Sequence, residues 1–321
     1  PSLSRMQKSA AFWASPGPLT RLSSKWDGVV ASLPGDAEKI AKIVAHLCLV
    51  DVTALDMYGE ELSDARRAEI HVRPAEAMLE RLGELKAFTK LRGRPPRLRI
   101  VGRSRSFAVL AVALCRAKGI PARARAGFAS YMSSDVQLEH WIFEYFDDQK
   151  WRRVDPSLDE TWLSTVPLSS RSNLTRAHFL SGAEAWRKWR SDKAVDPDDF
   201  GLESGLTGPW FVAQNVIRDL VALNKLEMLP WDVWGTKMPE PETDLKKEDL
   251  AFFDSLAALA NDPDGRLPEL QERCRSDPAV AFQGGCFNAI TEQLDELHLP
   301  PSDPTDAPPP PDHDDDAAED Y

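Results

Sequence analysis

Apolar positions recur at helical spacing along several stretches of the chain. From Asp36, the segment DAEKIAKIVAHLCLVDV places Ile40, Ile43, Val44, Leu47 and Val50 on one face, which predicts a helix carrying His46 and Cys48. A second helix is expected from Pro74 to about Phe88, opened by a first-turn proline and faced by Met78, Leu79 and Leu82. A third, Ser104 to Lys118, is apolar nearly all round, from Phe107 to Leu114, as a buried central helix would be. Gly119 then ends it.

The period changes after Ile120-Pro121. Alternating Ala and Arg in ARARAGFASY predict a strand with one small-residue face. Further strands are expected at EHWIFEYF and KWRRVDP, joined by the acidic turn Asp147-Asp148. Beyond Asp159 the pattern is helical again, in LTRAHFLSGAEAWRKWR, PWFVAQNVIRDLVALNKLE, LKKEDLAFFDSLAALAND and LPELQERCRSD. Helix followed by strands is an α+β pattern. The chain divides into an extended Ser/Pro-rich arm (1–35), a core (36–165), a helical region packed on it (166–298) and a Pro/Asp tail (299–321) expected to be disordered.

The formal net charge of −12 changes the picture once it is located. From Asp303 onward there are eight acidic residues and no Lys or Arg, so the rest of the chain carries only −4. That balance argues against nucleic-acid binding, which needs a basic face. No apolar run reaches the roughly 20 residues of a membrane span, and the first residues lack an apolar signal core, so a cytoplasmic location is expected, with no membrane partner. Cys48, Cys115, Cys274 and Cys286 lack CxxC spacing and are expected as reduced thiols. The histidines are isolated, with no HExxH or Cys/His cluster, so no metal and no cofactor is expected.

Three residues form a candidate constellation: Ser104 at the helix start, His140 at the start of the second strand and Asp155 at the end of the third. If the turn is Asp147-Asp148, paired residues sum to 295 and His140 lies opposite Asp155. Opposed Cβ atoms stand about 4.5–5.5 Å apart, close enough for an imidazole–carboxylate hydrogen bond. Asp155 would then fix the tautomer of His140, which would take a proton from the nucleophile. Taken singly, Ser104 reads as an N-cap and Asp155-Pro156 as a turn. Six arginines, at 92, 94, 97, 99, 103 and 105, precede the helix, either as a solvated loop or as a positive rim beside Ser104.

A nucleophile position at a helix N-terminus, then GIPARARAGF, then HW-x-x-EY and W-x-x-VDP, resembles the transglutaminase-like superfamily over about Val101 to Leu158. Later segments, FL-x-GAEAWRKWR, PWFV and LNKLEMLPWDVWG, are similar to bacterial transglutaminase-domain proteins. The resemblance implies a papain-like fold with a central buried helix on an antiparallel sheet, and a Cys-His-Asp triad. It carries over His140 and Asp155 and puts Ser104 where the family has its nucleophilic cysteine. Three readings of Ser104 stay open: an inactivated Cys-to-Ser form, a serine nucleophile, or a domain that has lost catalysis. Cys115 is no substitute, since eleven helical residues separate it from Ser104 by about 16 Å.

The function the resemblance implies is acyl transfer on an amide or thioester, hydrolytic or amide-forming, through a covalent acyl-enzyme. Backbone N–H groups at the helix start would hold the oxyanion. Arg97, Arg99, Arg103 and Trp141 are the candidate substrate-binding residues, and the arginines would suit an acidic carrier protein presenting an acyl thioester. The competing function is a non-catalytic groove that binds a peptide or partner protein.

Overall fold

The computed structural model describes residues 2–299, so all but the first residue of the expected disordered tail, and His313 with it, lies outside the described residues. In chain order these residues form α1 (Leu3–Ala14), α2 (Asp27–Ala31), α3 (Ala37–Val44), β1 (Cys48–Val50), α4 (Ala54–Tyr58), α5 (Asp64–Arg67), α6 (Ala75–Leu85), β2 (Ile100–Gly102) and α7 (Ser104–Ala117). There follow β3 (Ala122–Ala129), β4 (Gln137–Phe146), β5 (Trp151–Val154), α8 (Glu160–Leu163), β6 (Phe179–Ser181), α9 (Gly182–Ser191), β7 (Phe200–Gly201) and α10 (Pro209–Leu223). The last are β8 (Asp232–Val233), α11 (Lys247–Ala260), α12 (Leu267–Ser276), β9 (Gly285–Asn288) and β10 (Gln293–Glu296). None of the described helices is long and apolar enough to cross a membrane.

The architecture is α+β, with α7 buried against an antiparallel sheet ordered β5-β4-β3-β6. Its apolar circumference has a direct cause. One side of α7 meets Ala122, Ala124, Ala126, Trp141 and Phe143 of the sheet, and the other meets α3 and α6 through Ile40, Val44, Met78 and Leu82. The alanines leave room for the helix to lie close to β3. Each fully buried Val, Leu or Phe contributes about 1.5–3 kcal/mol, so this one helix is a large part of the core.

The arginines of β3 point to the opposite face, where they are buried and paired. Arg123 and Arg125 both reach Glu144 across the strand pair, and Arg125 also bonds Asp219 of α10 at 2.7 and 2.8 Å. Burial by itself would raise the Glu144 carboxyl, but the surrounding guanidinium charges hold it far below the ordinary range. Thus ARARAGF is a strand with both faces covered, its polar face neutralised by carboxylates from neighbouring elements.

Four local expectations change. Residues 3–14 are helical and not an extended arm; no proline falls within them, and buried Trp13 donates its indole N–H to the Leu223 carbonyl at 2.9 Å. The helix from Asp36 stops at Val44, and Cys48–Val50 instead pairs in parallel with Ile100–Gly102, a partner half a hundred residues away that no local pattern reveals. The region 166–298 is not only helical. Phe179–Ser181 extends the central sheet beside β3, and β7 pairs with β4 at Gln137 and Leu138. Ser181 then opens α9 with a capping box to Glu184, a start signal present in S-G-A-E.

The fourth change is the hairpin. Asp147 N–H bonds the Lys150 carbonyl at 3.1 Å and Asp148 has φ 66°, so the turn centres one residue later than Asp147-Asp148. The observed pairs are Phe143 with Val154 and Phe146 with Trp151, a register shifted by two from the expected one. A shift of two residues preserves the face of every side chain. His140 and Asp155 therefore remain on one side of the sheet, as diagonal neighbours instead of opposed ones.

Candidate active site

Position 104 is set by β2 and the turn that follows it. Gly102 must be a glycine here, because a Cβ would lie 2.6 Å from the side chain of Ser106. Arg103 is the N-cap residue and Ser104 the first helical residue, so the N-cap reading of Ser104 is displaced by one. No side chain caps α7, which leaves the N–H of residue 104 without a partner inside the helix.

The Ser104 hydroxyl oxygen accepts a hydrogen bond from the Trp141 main-chain N–H at 3.1 Å. The sheet makes that possible. β5 leaves the outer edge of β4 at Phe143, and β7 joins it only at Leu138, so the intervening backbone is open to the helix N-terminus. The helix start thus docks in a gap of the sheet, against the residue that follows His140.

His140 is 4% exposed and Asp155 fully buried, and His140 Nε2 lies 2.8 Å from Asp155 Oδ2. With Nε2 engaged by the carboxylate, Nδ1 is the ring nitrogen left for another group. Opposite His140 on β3 stands Gly127, where a Cβ would come within 2.1 Å of the Leu180 carbonyl oxygen. That close approach lets β6 lie flat against β3 beside the imidazole.

Asp155 is held by more than the histidine. Its Oδ1 accepts the N–H of Ser157 at 2.8 Å and the Ser157 hydroxyl at 2.6 Å, while Oδ2 also accepts the Tyr131 hydroxyl at 2.7 Å. Burial would raise its carboxyl, but the His140 charge and these donors outweigh it, and the group sits below the ordinary carboxylate value. Tyr131 moves oppositely: burial first, then the Asp155 charge, pushes its phenol well above the usual range. Ser157 is foreshadowed by Asp-Pro-Ser, an Asx-type turn, whereas nothing local singles out Tyr131.

The expected substrate-binding residues do not gather into one surface. Arg99 is buried, with Nη1 2.9 Å from Asp159, Nη2 3.1 Å from His46 and Nε donating to the Arg94 carbonyl. Arg94 and Arg105 likewise fork onto main-chain carbonyls, of Leu82 and Lys86 and of Glu227 and Arg73. Arg103 is ion-paired with Asp51 at the end of β1, which fixes the backbone just before Ser104. Trp141 is fully buried against α7, its indole N–H donating to Glu139. Of the six arginines Arg94, Arg99 and Arg105 are buried, Arg103 is half-buried on Asp51, and Arg92 and Arg97 are exposed, so the segment is neither a wholly solvated loop nor a continuous positive rim. A buried guanidinium with several carbonyl acceptors is a way to hold irregular backbone in place.

The four cysteines are free and buried, and burial drives the thiols up, that of Cys274 and of Cys286 to about 12. None is a thiolate at neutral pH. Asp232, Cys286 and Asp295 cluster with metal-ligand spacing, but Arg73 already occupies the centre, 2.7 Å from Asp232 and 2.6 Å from Asp295. A guanidinium there supplies the positive charge a metal ion would bring.

A model of the transglutaminase-like superfamily matches residues 65–156, a minority of the chain that includes Ser104, His140 and Asp155. That segment carries the papain-like arrangement of a buried helix on an antiparallel sheet. No curated protein matches the chain. Among solved structures, a proposed cysteine protease from Cytophaga hutchinsonii is similar at 18% identity, over 53% of this chain and 44% of its own, with a TM-score of 0.31. The chain spans less than half of that protein's length, and a likeness so slight supports no argument about function.

Proposed function

We propose, from the transglutaminase-like segment at 65–156, that the domain performs acyl transfer on an amide or thioester through residue 104. The observation that carries this reading is the His140–Asp155 bond of 2.8 Å beside a helix N-terminus whose first residue bonds the main chain at Trp141. In the proposed mechanism the hydroxyl of Ser104 attacks the acyl carbon as His140 Nδ1 takes its proton. Asp155 keeps the ring oriented and its Nε2 proton in place. The oxyanion is met by the uncapped N–H of residue 104. Collapse of the tetrahedral adduct expels an amine or thiol, which receives the proton from His140. Water or an amine then attacks the acyl ester, returns its proton through His140, and releases an acid or an amide.

A serine places the full cost of deprotonation on the transition state, whereas a thiol here would approach a thiolate beforehand. Ser104→Cys against the unmodified protein, with amide and thioester substrates and intact-mass detection of the adduct, separates the cases. Adduct with Ser104 supports a serine enzyme. Adduct with cysteine only supports the inactivated form, and no adduct in either overturns acyl transfer in favour of a binding groove. An acidic carrier, if it is the acyl donor, would dock through Arg92 and Arg97, the exposed arginines of this segment, with half-buried Arg103 between them and residue 104 in the chain.

A further inference from the structure

Arg218 on α10 is 4% exposed and, among the described residues, has no hydrogen-bond or ion-pair partner. Only its Nε is fully sealed from solvent without a partner, so the guanidinium end keeps what little exposure the residue has. Arg99, Arg105 and Arg125, by contrast, fork onto carboxylates or carbonyls. Arg218 has a carboxylate within electrostatic range but no hydrogen-bond acceptor among the described residues, and a native structure rarely retains a buried donor group without one.

The helix face that carries Arg218 is oriented by its neighbours. Two turns earlier, Phe211 packs on Phe128, ring centroids 6.3 Å apart, and Phe128 pairs across the strands with Glu139. One turn later, Ala222 lies in the core shared by α7 and Trp141. Arg218 is therefore bracketed toward Glu139, the residue before His140, and Glu139 is the first group to feel its charge. Asp232, the second, is already consumed by Arg73 and the Leu229 N–H. Glu139 itself accepts one hydrogen bond, from Trp141 Nε1 at 3.2 Å, and its carboxyl is raised by burial in spite of Arg218. Burial pulls the Arg218 guanidinium down to about 10, which leaves it a cation at neutral pH.

We infer that Arg218 is the anion-recognising group of a substrate subsite beside Glu139, on the strand that carries His140 and Trp141, which takes a carboxylate on the acyl portion of the substrate. This rests on the acyl-transfer reading of residue 104. A guanidinium with free donors matches a planar carboxylate two bonds at a time. Glu139 sets the class: its charge opposes a second anion, so a monoanion held by Arg218 is favoured over a phosphate dianion.

The test is binding without turnover. Succinamate, glutaramate and adipamate are compared with butyramide by calorimetry and by ligand-induced shifts in Tm. At least one ω-carboxylate amide is expected to bind the unmodified protein tenfold or more tightly than butyramide. Arg218→Gln should bring that ratio within about threefold of unity, Arg218→Lys should restore part of it, and Glu139→Gln should raise it by removing the opposing charge. A ratio near one in the unmodified protein, or one that survives Arg218→Gln, overturns the proposal. If Arg218→Gln does not fold, Glu139→Gln decides, and a ratio that fails to rise overturns it. Arg218-dependent carboxylate binding with no acyl adduct keeps this subsite and removes the acyl-transfer reading; adduct formation with no carboxylate preference does the reverse.

Discussion

Asp155→Asn is the most informative single change. The carboxylate accepts two donors on each oxygen: Ser157 N–H and hydroxyl on Oδ1, Tyr131 hydroxyl and His140 Nε2 on Oδ2. An amide is almost isosteric, but whichever way it is placed its NH2 must face two of those donors. A buried donor left without an acceptor costs about 1–3 kcal/mol, so two predict a loss of roughly 2–6 kcal/mol. Hydroxyl rotation at Ser157 brings the value toward the lower end. The pH dependence follows from the direction of the shift. The folded carboxyl lies below its unfolded value, so its contribution is fully present above an unfolded pKa of about 3.9 and is lost as pH falls through the folded pKa. Asparagine does not titrate. Urea unfolding followed by tryptophan fluorescence should show the largest gap between the two proteins near pH 7, narrowing below about pH 4. A gap under 1 kcal/mol at pH 7, or one that stays constant down to pH 3, would refute the geometry on which the proposed triad depends.

Gly127→Ala should destabilise by about 1–3 kcal/mol or more in urea, because its Cβ would meet the backbone of β6 at 2.1 Å, and no side-chain rotation relieves that. The arginines before α7 should split sharply. Arg99→Met strands the buried Asp159 and is expected to cost about 3–5 kcal/mol, whereas Arg97→Glu should stay within about 0.5 kcal/mol, both read from urea midpoints. Thiol labelling tests position 104 directly. The native protein should show no thiol reacting quickly with iodoacetamide at pH 7, since all four are buried and burial raises them, and Ser104→Cys should add one fast-reacting thiol. Combining Ser104→Cys with His140→Ala should slow that thiol at least tenfold, and an unchanged rate would separate His140 from residue 104.

Much of the central element was legible because its signals are local. The apolar run from Phe107 to Leu114 can only be satisfied by burial on all sides, and Gly119 and Pro121 bound it, so α7 ends within a residue of its expected limit. The strands that follow were legible for the same reason, through alternation and turn residues. Even the wrong turn left His140 and Asp155 together, because a register error of two returns each side chain to its own face. Where a strand depends on a distant partner the signal fails: Cys48–Val50 continues a helical pattern and becomes a strand only because Ile100–Gly102 lies beside it.

The sequence by itself determined the buried helix, the strand order of the hairpins and the spacing that keeps His140 and Asp155 on one face, since these follow from periodicity and short-range geometry, whereas the contact of Ser104 with the Trp141 main chain depends on how the helix docks on the sheet. The fates of the charged residues were decided only in three dimensions. Six arginines in one segment read alike, yet Arg99 is buried on Asp159, Arg103 is tied to Asp51, Arg105 holds the Glu227 carbonyl and Arg97 stays in water. Tyr131 on Asp155 and Arg218 near Glu139 are equally unmarked in the chain. The physical reason is that a charge carries no intrinsic address: whether it is solvated, paired or left waiting depends on which remote acceptor the fold brings within about 3 Å.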